Sequence, residues 1–486
     1  MSATGLPPLL RQRLEAAVGT EHVLTDAGSL LAYESDALTL FRCQPGAVVL
    51  PADAQQVQAC VQVLHEAGVP FAARGAGTGL SGGLLVPAGG VILALSRMNR
   101  VLEIDVERRV ARCEPGVVNA VLGRHAAQHG LRYAPDPASQ TVSTLGGNAA
   151  ENAGGPQCFL HGNTTQHVLG VEVVLADGRR ETWGGPHALS DDLDLRGFAC
   201  GSEGSVAVLT GLILRLIPQP EAVGTLFGAF ADVATACRAV SAIVAAGLQP
   251  LALEVMDQRA IHAVEDSVYR AGLPREAGAV LIVEVEGTAA QVERDAAAVE
   301  ALLGEHAPLQ IERAQDEAHR LRIWKGRKGA GGALGRLAPD SLVMDGVVPR
   351  SHLAEIMEFV EEVAEQTGLP VANLFHAGDG NIHPHFSYDG RDPDQCARVE
   401  IASTKILLKC LELDGSISGE HGIGLEKQHL MESQFDAEEL ALMQQLRRVF
   451  NPADLLNPGK GLPMKRGCAE AFHRHRHLTL DEEFPA

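Results

Sequence analysis

Three imidazoles stand close together in FHAGDGNIHPHFSYDG (375–390): His376, His383 and His385. A Gly-Asp-Gly-Asn turn (378–381) separates the first from the other two. Metal ligation, proton transfer and plain packing are all open to such a cluster. His383 and His385 are two residues apart on an expected strand, which points them to one face. A hairpin through the turn can bring His376 towards that face. Two imidazoles there call for a harder third ligand, and SGEHGIG (418–424) offers Glu420, with His421 beside it. Two histidines and a carboxylate leave positions open for substrate, the arrangement of a catalytic zinc, manganese or iron site. A single strand histidine is more often packed and hydrogen-bonded than metal-bound. Three on one hairpin, with Glu-His between glycines downstream, shift the balance towards a site.

A substrate held beside such a cation would be matched by a cationic side chain. RIWKGRKGAGGALGR (322–336) opens a helical segment and carries Arg322, Arg327 and Lys328. A planar guanidinium suits a carboxylate bound through two hydrogen bonds. The competing reading is one solvated basic face.

The chain holds 52 glycines in 486 residues, above the ~7% typical of proteins, and they are clustered. PFAARGAGTGLSGG (70–83) follows an expected strand. Its Gly75, Gly77 and Gly79 can turn successive backbone N–H groups towards one anion, and Thr78 and Ser81 add hydroxyls. No long apolar helix follows, so it is not the Rossmann turn, and the lysine of the P-loop is missing. PDPASQTVSTLGGNAAENAGGP (135–156) is long, unperiodic and rich in small polar residues. Loops of more than ~15 residues are usually functional or disordered, and this one sits between firm elements. CGSEGSVAVLT (200–210) repeats the theme with one carboxylate before a strand.

The elements that must carry these loops alternate. Residues 7–19 read as a short helix; 46–51, 69–75, 89–95 and 205–218 as strands; 55–68 and 118–130 as helices, the latter ending on glycine; 168–183 as a hairpin through Ala-Asp-Gly. Beyond Pro218–Val223 come amphipathic helices at 232–247, 289–307 and 352–368, between strands at 278–287 and 341–349. That half reads as an antiparallel sheet with helices packed on it. The reading is therefore α+β: an N-terminal helical segment (1–40), a first domain (41–219), a second (220–445), a return segment (446–465) and a polar tail (466–486) with His/Arg alternation.

Bulk composition excludes several classes. Forty basic against sixty-one acidic residues, net −21, oppose whole-chain affinity for nucleic acid or anionic lipid. No apolar run approaches the ~20 residues of a membrane span, and no secretory signal is read at the N-terminus. Nine scattered cysteines form no C-x-x-C pair, so no thiolate zinc site or chain-borne iron–sulfur cluster is expected, and a reducing cytoplasm fits.

The order RGAGTGLSGG, PDPASQTVSTLGGNAAENAGGP, VLGVEVVLADG, GSEGSVAVLT resembles the FAD-binding domain of the vanillyl-alcohol oxidase / p-cresol methylhydroxylase superfamily. GRKGAGGALGRLAPDSLVMDGVVPR, HAGDGNIHPH, SISGEHGIG and LLNPGKGLP resemble its FAD-linked 2-hydroxyacid dehydrogenase branch, over about residues 40–462. Catalytic flavin subunits of bacterial glycolate oxidase and D-lactate and D-2-hydroxyglutarate dehydrogenases belong to that branch.

The resemblance implies a p-cresol methylhydroxylase-type FAD domain followed by a substrate-binding cap. It implies that Arg74, Gly75, Ala76, Gly77, Thr78, Gly79 and Ser81 cradle the pyrophosphate. Pro135, Ser143, Gly146, Asn148, Asn152 and Gly155 would line the flavin and ribityl chain. Gly201, Glu203 and Val206 would flank the adenine end, with Asn457 and Lys460 returning near the ring. No covalent attachment residue is evident, so dissociable FAD is expected. By the same resemblance His376, His383 and Glu420 bind a divalent metal, zinc first, with manganese or iron as alternatives. His421 acts as base and Arg327 binds the substrate carboxylate; Lys328 and His385 are further substrate contacts. The implied activity is oxidation of a small D-2-hydroxy acid, glycolate or D-lactate, to the 2-oxo acid. D-2-hydroxyglutarate dehydrogenation and a non-catalytic FAD-binding subunit are the alternatives, although the histidine and Ser-Gly-Glu-His blocks would be idle in the latter. A metal hydrolase would leave the glycine loops unexplained. The expected electron acceptor is a quinone-linked iron–sulfur subunit or an electron-transfer flavoprotein. The protein would then be cytoplasmic, reach the inner membrane only through such a partner, and work as an oligomer or multi-subunit complex.

Overall fold

The computed structural model describes residues 5–186 and 193–463; the polar tail and its His/Arg alternation lie outside the described residues. The chain forms two compact units. One comprises Met1–Gly154, Asn163–Gln219 and the described chain from Glu420 onward; the other comprises Gly155–Gly162 and Pro220–Gly419. The sequence reading set the return to the first unit at 446 and did not foresee the short excursion at 155–162.

In the first unit a four-stranded sheet runs in the order Val23–Leu24, Ala47–Val49, Val91–Ala94, Phe71–Arg74. The last three are parallel, so each needs a crossover. The helix Ala54–Ala67 supplies one: the Asp53 side chain caps its start and Gly68, in the left-handed region, ends it. Val57, Cys60, Val61 and Leu64 share its buried face with Val49, Phe71 and Val91. A second, antiparallel sheet has the order Val101–Asp105, Val110–Cys113, Ala207–Arg215, Val168–Leu175, Arg180–Gly184. Its centre is the strand Ala207–Arg215, buried except at its last residue. Leu456 bridges Phe71 in parallel, and the Asn457 N–H donates to Phe71 O at 2.7 Å, so the return segment extends the first sheet beside the glycine loop.

The second unit is an antiparallel sheet in the order Gln310–Arg313, Ala222–Phe230, Ala279–Gly287, Ala252–Asp257, Val371–His376, Asn381–Ile382, Gly346–Val347. The strands Asp340–Val343 and Pro384–Tyr388 pair with each other, and the latter also pairs with Val371–His376. The helices Val233–Ala245, Ala289–Glu305, Glu317–Leu334 and Leu353–Thr367 bury one stripe each.

Four local expectations differ from the structure. The stretch 135–156 is not all loop: Leu145–Glu151 is helical, with the Thr144 hydroxyl capping its start and Asn152 in the left-handed region at its end. The helix after Val118 stops at Ala127, with Gln128 rather than a glycine as its cap. Residues 341–349 are two short strands, broken at Met344–Asp345. The helix bearing Arg327 begins at Glu317, capped by Asp316, so Arg327 sits mid-helix on its buried side.

Candidate functional sites

Within the first unit the strand Phe71–Arg74 delivers the chain into a cavity of about 220 Å³. Its lining includes Arg74, Gly75, Ala76, Gly77, Thr78, Gly79, Ser81, Ser143, Gly146, Asn148, Glu203, Glu420 and His421. Close packing explains two of the glycines. A Cβ at Gly75 would collide with the Thr144 hydroxyl, and one at Gly146 would sit 2.6 Å from Pro115. Ser81 Oγ, Ser143 Oγ and Asn148 Nδ2 face burial with no hydrogen-bond partner among the described residues. Buried polar groups are normally paired, so three orphans on one cavity mark the place of a polar ligand. These donors and small side chains fit a phosphate-bearing cofactor such as FAD.

The remaining residues expected at FAD lie off this lining. The Pro135 carbonyl accepts from Asn119 Nδ2. Asn152 Oδ1 takes the N–H and hydroxyl of Thr165, and Gly155 belongs to the other unit. Gly201, Val206, Asn457 and Lys460 line a separate cavity of about 400 Å³ with Phe198, Met431 and Met443. Asn457 Nδ2 donates to Gly83 O and Glu203 O, and Lys460 Nζ donates to Asn457 Oδ1. Asn457 thereby ties the chain at Gly83 to that at Glu203. Arg74 is likewise tied down, with Nη1 on Ser35 O at 2.9 Å.

Carboxylates concentrate around the cavity, and two of them, Asp36 and Glu151, are absent from the sequence reading. Asp36 accepts from the N–H groups of Leu38 and Gly82, yet burial pushes its carboxyl up to about 7. Glu151 is pushed well above the usual range by burial and then by the charge of Glu203. Glu203, in the left-handed region at φ 51°, accepts from Ile423 N at 2.6 Å and Gly424 N at 2.8 Å. It thereby fixes the loop after His421. Burial raises its carboxyl as well, and burial lowers the Lys460 ammonium to about 7. Glu420 and His421 keep a 4.0 Å separation and are both mostly buried.

Within the second unit, His376 and His383 meet edge to face, ring centroids 5.1 Å apart. His376 Nδ1 is 2.6 Å from Glu254 Oε1, and His383 Nδ1 is 3.0 Å from Met344 O. A carbonyl or ionised carboxylate only accepts, so each Nδ1 carries the hydrogen. Metal-ligating histidines are commonly oriented this way. His383 falls in the break between Asn381–Ile382 and Pro384–Tyr388, so it and His385 are not on one continuous strand. His385 is half-buried opposite Val343 and Ala372. Asp345 accepts from Asn381 Nδ2, Ser418 Oγ and Gly419 N, fixing the chain up to the residue before Glu420.

Arg327 is 9% exposed, and its Nη2 pairs with Glu254 Oε2 at 2.6 Å. Its Nε is buried without a hydrogen-bond partner among the described residues. Lys328, one residue on, is exposed and lies over the Trp324 ring at 5.5 Å. Burial raises the Glu254 carboxyl, but His376 and Arg327 outweigh it and leave it below the usual range. Sequence reasoning missed Glu254. The available signal was a lone acid in the apolar run LALEVM.

Among the described residues no helix is long and apolar enough to cross a membrane. The described cysteines carry free thiols.

The family described as "FAD binding domain" matches residues 45–184, and that described as "FAD linked oxidases, C-terminal domain" matches residues 219–461. The glycolate oxidase subunit GlcD of Escherichia coli (strain K12) is 42% identical over 471 residues, 96% of this chain and 94% of that protein. GlcD of Bacillus subtilis (strain 168) is 36% identical, covering 93% of this chain and 96% of that protein. The D-lactate dehydrogenase of Archaeoglobus fulgidus is 34% identical, covering 85% and 90%. The crystal structure of p-cresol methylhydroxylase with substrate bound superposes with a TM-score of 0.82 at 17% identity, over 94% of this chain and 98% of that one, which establishes the shared fold. The chain belongs to the FAD-linked oxidases, a family of oxidoreductases, with a p-cresol methylhydroxylase-type FAD-binding domain followed by that family's C-terminal domain.

Proposed function

We propose that this protein oxidises a small D-2-hydroxy acid, glycolate or D-lactate first, to the corresponding 2-oxo acid, with FAD as hydride acceptor. The observation that carries the reading is Arg327: a buried guanidinium whose Nε has no hydrogen-bond partner among the described residues, linked through Glu254 to His376. A buried donor without an acceptor is costly and calls for an anionic one, such as a substrate carboxylate. The names of the relatives, glycolate oxidase subunit and D-lactate dehydrogenase, supply the substrate class.

Dissociable FAD would lie along Gly75–Ser81, Ser143, Gly146 and Asn148, where its N5 supplies the acceptor for the α-hydrogen. A divalent cation, zinc first, would be held by His376, His383 and Glu420 and would acidify the α-hydroxyl. Support for that set comes from the two imidazoles oriented through Nδ1 and from Asp345, which orders the chain immediately before Glu420. Arg327 receives the carboxylate. His421, which lines the first unit's cavity, removes the hydroxyl proton as general base. Lys328 and His385 stand at the margin as substrate contacts.

Electrons leave to a separate acceptor, a quinone-linked iron–sulfur subunit or an electron-transfer flavoprotein. Two relatives are themselves named as subunits, so we read this chain as the flavin-bearing member of a cytoplasmic complex. Anaerobic mixing of FAD-loaded protein with glycolate, D-lactate and D-2-hydroxyglutarate tests the activity. Bleaching of the flavin by one of the two smaller acids is expected. A flavin that dithionite reduces but none of these acids does would refute the reading.

A further inference from the structure

Glu254 is a deeply buried charged group of the second unit that neither cofactor nor substrate accounts for. It is 1% exposed, in the middle of the strand Ala252–Asp257. An isolated carboxylate there costs several kcal/mol. Apolar replacement of such a group is often neutral or stabilising, so its presence asks for a function.

Its two oxygens have two different tasks. The antiparallel register sets Glu254 directly opposite His376, and Oε1 accepts from His376 Nδ1 at 2.6 Å. The other oxygen, Oε2, pairs with Arg327 Nη2 at 2.6 Å. Arg327 comes from the helix Glu317–Leu334 and His376 from the strand Val371–His376. One carboxylate therefore fixes the imidazole tautomer and the heading of the guanidinium together.

We propose that Glu254 is the positioning residue of this site, holding the metal-directed face of His376 and the carboxylate-directed edge of Arg327 at a constant separation. The inference rests on the function proposed above. It adds that the two ends of a 2-hydroxy acid are gauged by one side chain that touches neither.

Glu254→Gln tests it. The amide keeps the size but can offer only one acceptor oxygen, so one partner must lose its bond. Zinc affinity of the FAD-loaded protein, read by competition with a chromophoric chelator, should fall ~10–100-fold. Oxalate affinity, read from the flavin spectrum, should fall with it, while FAD content stays unchanged. Glu254→Asp, which keeps both oxygens one methylene shorter, should recover part of the loss. Unchanged zinc and oxalate affinities in Glu254→Gln overturn the proposal. If that variant does not fold, Glu254→Asp decides alone: affinities equal to those of the parent overturn it, and weaker ones with normal FAD content support it. A parent protein that binds neither zinc nor oxalate overturns the functional reading itself, a result distinct from any difference between variants.

Discussion

The two regions that carry chemistry are built by opposite means. The cavity of the first unit is shaped by backbone: closely packed glycines, short hydroxyls and an amide, held from behind by Glu203 and Asn457. The cluster of the second unit is shaped by long ionisable side chains on regular elements, Glu254, His376 and Arg327 on two strands and a helix. A cofactor that stays bound needs many weak contacts and close approach, which glycine provides. A substrate anion that comes and goes needs a few strong, directed charges, which only buried and mutually fixed side chains provide.

His421 is the place to break that division, because it lines the backbone-built cavity yet is expected to act through its side chain. His421→Ala should slow flavin reduction by substrate ~10²–10⁴-fold while leaving FAD bound; stopped-flow bleaching at the parent rate would remove it from the mechanism. Arg327→Ala should lower kcat/KM roughly 10–100-fold by deleting charged hydrogen bonds to the substrate. It should leave the flavin spectrum intact, and a loss of FAD instead would erase the separation of roles.

Gly75→Ala probes the other side. Its Cβ meets the Thr144 hydroxyl, which caps the helix Leu145–Glu151, so the loop must shift. At ~1–3 kcal/mol for such overpacking, FAD should bind about tenfold or more weakly, with substrate affinity of the loaded protein unchanged. Titration of apoprotein with FAD reads the first, steady-state KM the second.

The last effect is electrostatic. The Asp36 carboxyl sits at about 7 when folded, above its ordinary 3.8. Between those values the folded chain holds a proton the unfolded chain has lost, so stability falls as pH rises from about 4 to about 7 and then levels off. Asp36→Asn should flatten that slope. Urea midpoints at pH 5 and pH 8 that differ as much in the variant as in the parent would assign the slope elsewhere.

Much of this was legible in the sequence. Glycine-rich stretches after strands, the 168–183 hairpin and the Glu-His and Arg motifs are local, and periodicity and turn chemistry report local geometry. The errors were local too where competing patterns overlap. Thr144 starts a helix inside what reads as a long polar loop, and His383 falls on a strand break that alternation cannot show.

The sequence alone determined the class of fold, the loops that can admit a nucleotide and the residue types able to bind an acid and a cation. Only the tertiary structure decided which groups hold which. Glu254 reaches His376 across 122 residues, and Glu203 reaches Ile423 across 220. Those pairings follow from sheet register and loop packing, in which each partner is chosen by what burial leaves within reach. No pattern confined to neighbouring residues records that choice.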